Sequence, residues 1–217
     1  IFENLSDKWS TNNNHIIAEL VGLLFIGNFF NNFEFGKKWF NRALKKLNYE
    51  IESQVMEDGF IWESSTGYHK FVSELIYLSE RLIFLRKKDD SKSIKKSLLK
   101  MLEALSYTIK PNGKICKIGD SDDASVLKFA PNAVDKPDFL KSASLSYDNF
   151  NNYYEDKESE YSFWINGHSK IEFNKYSKQK IKCFRDSGLV FFNSNNGKKV
   201  WICFNLGNQI DKYLGAG

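Results

Sequence analysis

No stretch of this 217-residue chain is apolar for the roughly 20 residues that a membrane-crossing helix needs, and no charged-then-apolar leader opens it. Cysteine is scarce. Cys116, Cys183 and Cys203 lie far apart and show no CxxC spacing. An odd count of that kind argues against a disulfide framework or a zinc finger, and for small buried apolar residues. Also missing are a phosphate loop, a dinucleotide-binding glycine fingerprint, a nucleophile elbow and the HExxH pattern. Proline is confined to Pro111, Pro131 and Pro137. The net charge of +4 is modest; it suits the steering of an anionic ligand and says nothing about fold. Aromatics make up 16% of residues, a share that serves a large core and sugar stacking equally.

What is present first is helical periodicity. From Lys38 onward Phe40, Leu44, Leu47, Ile51 and Val55 recur at spacings of three and four, which is one face of a helix. Tyr68, Phe71, Val72, Leu75, Ile76, Leu78 and Leu82 form a second stripe, and Ile94, Leu98, Leu99, Met101, Leu102 and Leu105 a third. Pro111-Asn112-Gly113 then ends the helical pattern with a turn. Short connections between such helices imply antiparallel hairpins. From residue 114 to about 160 the period dissolves into Asp, Ser, Asn and Lys, which reads as a long functional loop and a domain connection. Strands are expected at Tyr161–Ile165, Ile181–Phe184, Gly188–Phe192 and Lys199–Asn205, with a hairpin signal at Asn196-Gly197 between the last two. Helices first and strands afterwards give an α+β, mainly α chain with segregated parts.

One polar cluster stands out against this background. Thr11-Asn12-Asn13-Asn14-His15 opens a run that is otherwise almost wholly apolar. One Asn is explained as an N-cap, because its side chain accepts an unpaired helix N–H; three followed by a His are not. About fifty residues later Gln54-Val55-Met56-Glu57-Asp58-Gly59 leads into Trp62-Glu63-Ser64-Ser65-Thr66-Gly67-Tyr68-His69. Polar, proton-competent groups at the starts of successive helices suggest a cleft.

These residues resemble the heparinase II/III-like polysaccharide lyases, a group related to alginate and oligo-alginate lyases. Asn13-Asn14-His15 with Glu19, Gly22-Leu23 and Gly27 is similar to the family's NNHxxxExxGL segment. Gln54-Val55, Asp58-Gly59, Glu63-Ser64, Tyr68-His69 and Phe71 resemble its second block, and Gly119-Asp120-Ser121-Asp122-Asp123 its GDsDd block. The three occur in family order between residues 9 and 123. The resemblance implies a partial (α/α) toroid of helical hairpins over residues 1–155, its C-terminal and catalytic part, then the first strands of an antiparallel β-sandwich over 156–217. With no initiating Met, the chain reads as an internal piece of a longer protein, and a His-bearing motif is expected soon after Gly217.

The resemblance also implies roles. Asn14 and His15 would neutralise a uronate carboxylate, aided by the positive end of their helix, as negative charge builds on it during removal of the C5 proton. Tyr68 would protonate the glycosidic oxygen, since a free phenol titrates at about 10 and is proton-bearing at neutral pH. The base that takes the C5 proton would be Tyr68 itself, depending on the sugar epimer and with a nearby cation to favour phenolate, or a group in the expected His-bearing motif. Glu19, four residues after His15, reads as an orienting partner for it. Glu19, Glu63, His69, Asp120 and Asp122 are expected to bind substrate, with Glu63 and Asp120 at the rim of the cleft. The acids around Asp120 do not follow the spacing of a calcium loop. The expected reaction is β-elimination on an anionic polysaccharide, with no cofactor in this segment and a structural divalent metal conceivable in the remaining sandwich. Scarce Arg next to Lys leans away from a highly sulfated polymer. Periplasmic or secreted localisation follows from the family alone, nucleic acid is not an expected partner, and the oligomeric state is left open. Two rivals stand: a glycoside hydrolase pairing Glu63 with Asp120, and a non-catalytic carbohydrate-binding or assembly protein of the same fold.

Overall fold

The computed structural model describes residues 5–6, 13–86, 91–120, 125–129, 136–147, 159–167, 180–194 and 200–206. Among them are six helices, α1 Asn14–Phe29, α2 Glu34–Gln54, α3 Thr66–Arg86, α4 Lys92–Tyr107, α5 Phe139–Ser146 and α6 Glu160–Asn166. Three strands follow, β1 Ile181–Phe184, β2 Leu189–Ser194 and β3 Val200–Asn205. None of these helices is long and apolar enough to cross a membrane. The architecture is mainly α: helical hairpins of a partial toroid, then an antiparallel sheet that begins a sandwich.

The helices form where the periodicity places them. Asn13 is extended and its Oδ1 accepts the His15 N–H at 3.0 Å, so α1 starts on its cap. Ile16, Ile17, Leu20, Leu23 and Leu24 are buried on α1, while Phe25, Ile26 and Phe29 are exposed, so the helix is apolar on both faces with no clear polar stripe. It packs against α2 and α3, and α3 packs on α4. A Cβ at Gly27 would come within 2.5 Å of the Phe40 amide, so this glycine sets how closely α1 meets α2. α2 buries Phe40, Leu47 and Ile51 of the anticipated stripe together with Ala43, while Leu44 is half-buried and Val55 lies just past the helix end.

The connection from α2 to α3 carries a helix-to-sheet joint. Val55 and Ile61 bridge across a tight turn, and Gly59 sits at φ 96° with the site of a missing Cβ only 2.4 Å from the Lys100 carbonyl. Only glycine fits there. Asp58 faces the strand region: its Oδ2 accepts the Ser187 N–H at 2.8 Å, while the Asp58 N–H donates to Asp186 Oδ2 at 3.1 Å. This reciprocal pair ties the β1–β2 turn to the helical layer.

β2 lies between β1 and β3, antiparallel to both, with Phe184 opposite Leu189 and Phe191 opposite Cys203. Phe184, Leu189 and Phe191 pack on Phe60, Ala104, Tyr107 and Cys116 of the helical layer. Phe184 meets Phe60 edge-on at 5.1 Å and Tyr107 at 5.6 Å; each such pair adds about 0.5–1.5 kcal/mol beyond its buried area. Ile202 and Phe204 face the other way and are exposed. The Asn196-Gly197 turn lies outside the described residues.

Three expectations need correction. Residues 161–165 are helical, in α6: Ser159 Oγ caps the Ser162 N–H at 3.2 Å and Gly167 closes the helix in the left-handed region. These ends outweigh the strand-like alternation of Tyr161, Phe163 and Ile165. α5 occupies part of the stretch read as loop. Cys116 is buried, but Cys203 is half-buried and Cys183 exposed, because Cys183 points off the sheet face that packs on the helices. The expected boundary at 155/156 lies outside the described residues.

Candidate active site

The site is assembled around the short segment between the turn at Gly59 and the start of α3. Ser64 takes φ 56°, the one non-glycine residue with positive φ among the described residues. Such a conformation is uncommon outside Gly, Asn and Asp and costs on the order of 1 kcal/mol or more. It turns Glu63 back toward α1 and leaves Ser65 to cap α3. Ser65 Oγ accepts the Tyr68 N–H at 3.2 Å and donates to the Asp120 carbonyl. Thr66 laces the same strand of chain in place: its Oγ1 donates to the Cys116 carbonyl at 2.6 Å and accepts the Ile118 N–H at 3.0 Å. Gly119, at φ 68°, lets that strand lie against the turn, since a Cβ would stand 3.0 Å from the Ser64 carbonyl.

Asn14 and Glu63 form the buried half of the site. The Asn14 backbone N–H donates to Glu63 Oε1 at 2.7 Å and its side-chain amide to Oε2 at 2.7 Å. Asn14 is 8% exposed and Glu63 5%. Burial pushes the Glu63 carboxyl above its ordinary value, against the two Asn14 hydrogen bonds and the nearby His15 charge, which pull it down. Facing a carboxylate fixes which end of the Asn14 amide is NH₂; its second hydrogen points elsewhere. The anion seated at the start of α1 is therefore Glu63, where a substrate carboxylate was anticipated. His15 stands exposed on the first turn beside it.

Tyr68 forms the open half. It is half-buried on the first turn of α3, and its phenol donates to Asp120 Oδ2 at 3.4 Å. Asp120 is exposed. Asn14 and Tyr68 thus attach to opposite ends of one 63–65 turn, through Glu63 and through Ser65.

Other anticipated residues fall elsewhere. Glu63 is no rim residue, because its carboxylate is buried and taken by Asn14; the same geometry deprives a Glu63–Asp120 hydrolase pair of one member. His69 is fully buried against Phe60, ring centroids 4.8 Å apart, with Nε2 at 3.1 Å from the Met101 carbonyl. It is not a substrate ligand, since consecutive helical residues point to different faces. Burial pushes its imidazole down to about 4, against the Met101 bond and the Asp58 charge, so it is neutral at pH 7. Glu19 accepts the Ser6 N–H at 2.7 Å and the Ser6 hydroxyl, which anchors the buried Leu5 segment onto α1 rather than orienting His15. Asp122 lies outside the described residues. Ser65 and Thr66 were missed as architects of the site, although a Ser-Ser-Thr run before an apolar helix is a visible capping signal.

Among curated proteins, none matches the sequence. The family described as Heparinase II/III N-terminus matches residues 3–136, well over half the chain. The chain belongs to this family. Solved structures with the same fold include one described as heparinase III, 18% identical, with a TM-score of 0.58 over 84% of this chain and 27% of that one. A mutant of heparan sulfate lyase HepC from Pedobacter heparinus is 16% identical, with a TM-score of 0.60 over 88% of this chain and 28% of its own. A heparinase III described as the BT4657 gene product is 17% identical, at 0.61 over 91% and 28%. This heparinase II/III chain spans little more than a quarter of the length of those structures.

Proposed function

We propose that the protein is a polysaccharide lyase that cleaves a 4-linked uronic-acid polymer by β-elimination. The observation that carries this reading is the Ser64–Ser65 turn, with the Glu63-bound amide of Asn14 at one end and the phenol of Tyr68 at the other. Family membership supports the reaction class.

In the proposed reaction the free amide hydrogen of Asn14 and the ring of His15 donate to the uronate carboxylate. Charge that builds there as the C5 proton leaves is met by donors already in position, which is where hydrogen bonds lower a barrier most. A general base outside the described residues takes the C5 proton. The electron pair of the C5–H bond becomes the C4–C5 double bond, the C4–O4 bond breaks, and Tyr68 delivers its own proton to O4. Glu63 touches no substrate; its buried carboxylate holds the Asn14 amide in one orientation, and aligned groups gain much of an enzyme's advantage. Asp120 receives the phenolic hydrogen bond in the resting state and orients the ring. These steps call on no cofactor held by the described residues. We assign the enzyme to the periplasm or the exterior, where such polymers are met.

The test is to incubate the full-length protein with a set of uronic-acid polymers. Chain cleavage should come with ultraviolet absorbance from the conjugated double bond at the new non-reducing end. New reducing ends without that absorbance would indicate hydrolysis, and binding without cleavage a non-catalytic protein of the same fold.

A further inference from the structure

We propose that a pocket on the flank of α3, between α5 and α6, is a second saccharide-binding site that takes a single uronate-bearing sugar. The cavity has a volume of about 150 Å³, the size of one sugar ring rather than a chain. It lies one to two turns along α3 from Tyr68, a rise of about 9 Å between residues 68 and 74. Its own side chains are absent from the catalytic proposal.

The lining has the mixed chemistry that an acidic sugar requires. Lys70, on α3, is buried, and its Nζ donates to Ser125 Oγ at 3.0 Å. Lys141, on α5, is also buried, with Nζ 3.5 Å from Asp138 Oδ1. Lys136 stands exposed at the mouth. Carboxylates of Glu74, Asp138 and Glu160 balance these ammonium groups in number. Glu74 is already committed: it accepts the Val126 and Leu127 N–H groups, each at 3.0 Å, and the Tyr161 hydroxyl at 3.2 Å. A near-neutral pocket of this kind does not concentrate bare phosphate. It offers ammonium donors to one carboxylate, and carboxylate acceptors to the hydroxyls of the same ring.

Aromatic faces supply the rest. Phe129 lines the pocket, and the Trp164 ring stacks on it at 6.4 Å and 14°. Trp164 is 62% exposed and its neighbour Phe163 50%. Large flat apolar rings left in water next to a cavity with a few polar groups form the usual pattern of a small-ligand site. The choice of a uronate rests on the lyase reading, since the polymer being cut is the acidic saccharide at hand.

The experiment uses full-length protein carrying Tyr68→Phe, titrated calorimetrically with a tetrasaccharide of alternating glucuronic acid and N-acetylglucosamine. Two binding events are expected. Adding Lys136→Gln or Trp164→Ala, both at exposed positions, should weaken one of them tenfold or more and leave the melting temperature unchanged. In the parent background the same substitutions should leave turnover of a tetrasaccharide unaltered. Binding that neither substitution changes overturns the proposal, as does equal binding of cellotetraose, which has no carboxylate. Loss of the second event in both variants, in a protein that cleaves no polymer, would uphold the pocket while the lyase reading falls.

Discussion

Replacing Glu63 by Gln keeps the shape of the side chain and removes the charge that two Asn14 donors share. Both hydrogen bonds are 2.7 Å long and buried. A carboxamide can accept from one donor, but its NH₂ then confronts the other. One bond to a charged group is worth about 1.5–3 kcal/mol, and the charge at the start of α1 about 0.3–1 kcal/mol more. Against this, the variant no longer buries a carboxylate whose ionisation is already disfavoured by its surroundings. The balance is a destabilisation of about 1–2 kcal/mol, or roughly 2–8 °C at the 2–4 °C per kcal/mol usual for domains of this size. Turnover should fall further, because the Asn14 amide is freed to rotate and a misplacement of about 1 Å can cost about 100-fold. The assay pairs scanning calorimetry with initial rates of unsaturated-product formation, separating kcat from KM. A Gln variant with the parent's melting temperature and kcat would refute the claim that Glu63 orients Asn14.

Two further outcomes follow from the structure. Burial lowers the His69 imidazole from 6.5 to about 4, so its contribution to stability is present above pH 6.5 and is lost as pH falls through about 4. At about 1.36 kcal/mol per unit the upper limit is about 3 kcal/mol. Glu63 and Glu74, both raised by burial, act in the opposite sense, fullest below 4.5 and lost as pH rises through their higher folded values. His69→Phe should therefore lose less stability between pH 7 and pH 4 than the parent in urea titrations; equal losses would contradict the assignment. Gly59→Ala should destabilise by about 2 kcal/mol or more, since φ 96° and the Lys100 carbonyl both exclude a methyl group; an unshifted urea midpoint would count against it.

How far the sequence could be read depends on the range of the forces involved. α2, α3 and α4 were legible because a core-facing stripe repeats locally, and Asn13 because a cap bonds two residues away. α6 was misread because Tyr161, Phe163 and Ile165 alternate like a strand, while the deciding signals, Ser159 and Gly167, lie outside that run. The roles of Glu63 and Glu19 were hidden for a different reason. Their partners, Asn14 and Ser6, are 49 and 13 residues away, and no local pattern reports who meets a carboxylate across a fold. His69 was grouped with Tyr68 by adjacency, although a helix turns neighbouring side chains about 100° apart. The Asp58–Asp186 exchange, 128 residues apart, gives the Asp-Gly block a joining role that spacing alone does not suggest.

The most direct measurement is the turnover of full-length Tyr68→Phe on the uronic-acid polymer that the parent cleaves. The substitution removes one hydroxyl, whose hydrogen bond to Asp120 is long and exposed at 3.4 Å, so stability should change by no more than about 1 kcal/mol. If Tyr68 protonates the leaving oxygen, kcat should fall by about 100-fold or more, with KM little changed, because that proton matters as the glycosidic bond breaks. A Phe variant that forms unsaturated product at the parent's rate would contradict the account and leave Tyr68 a packing residue.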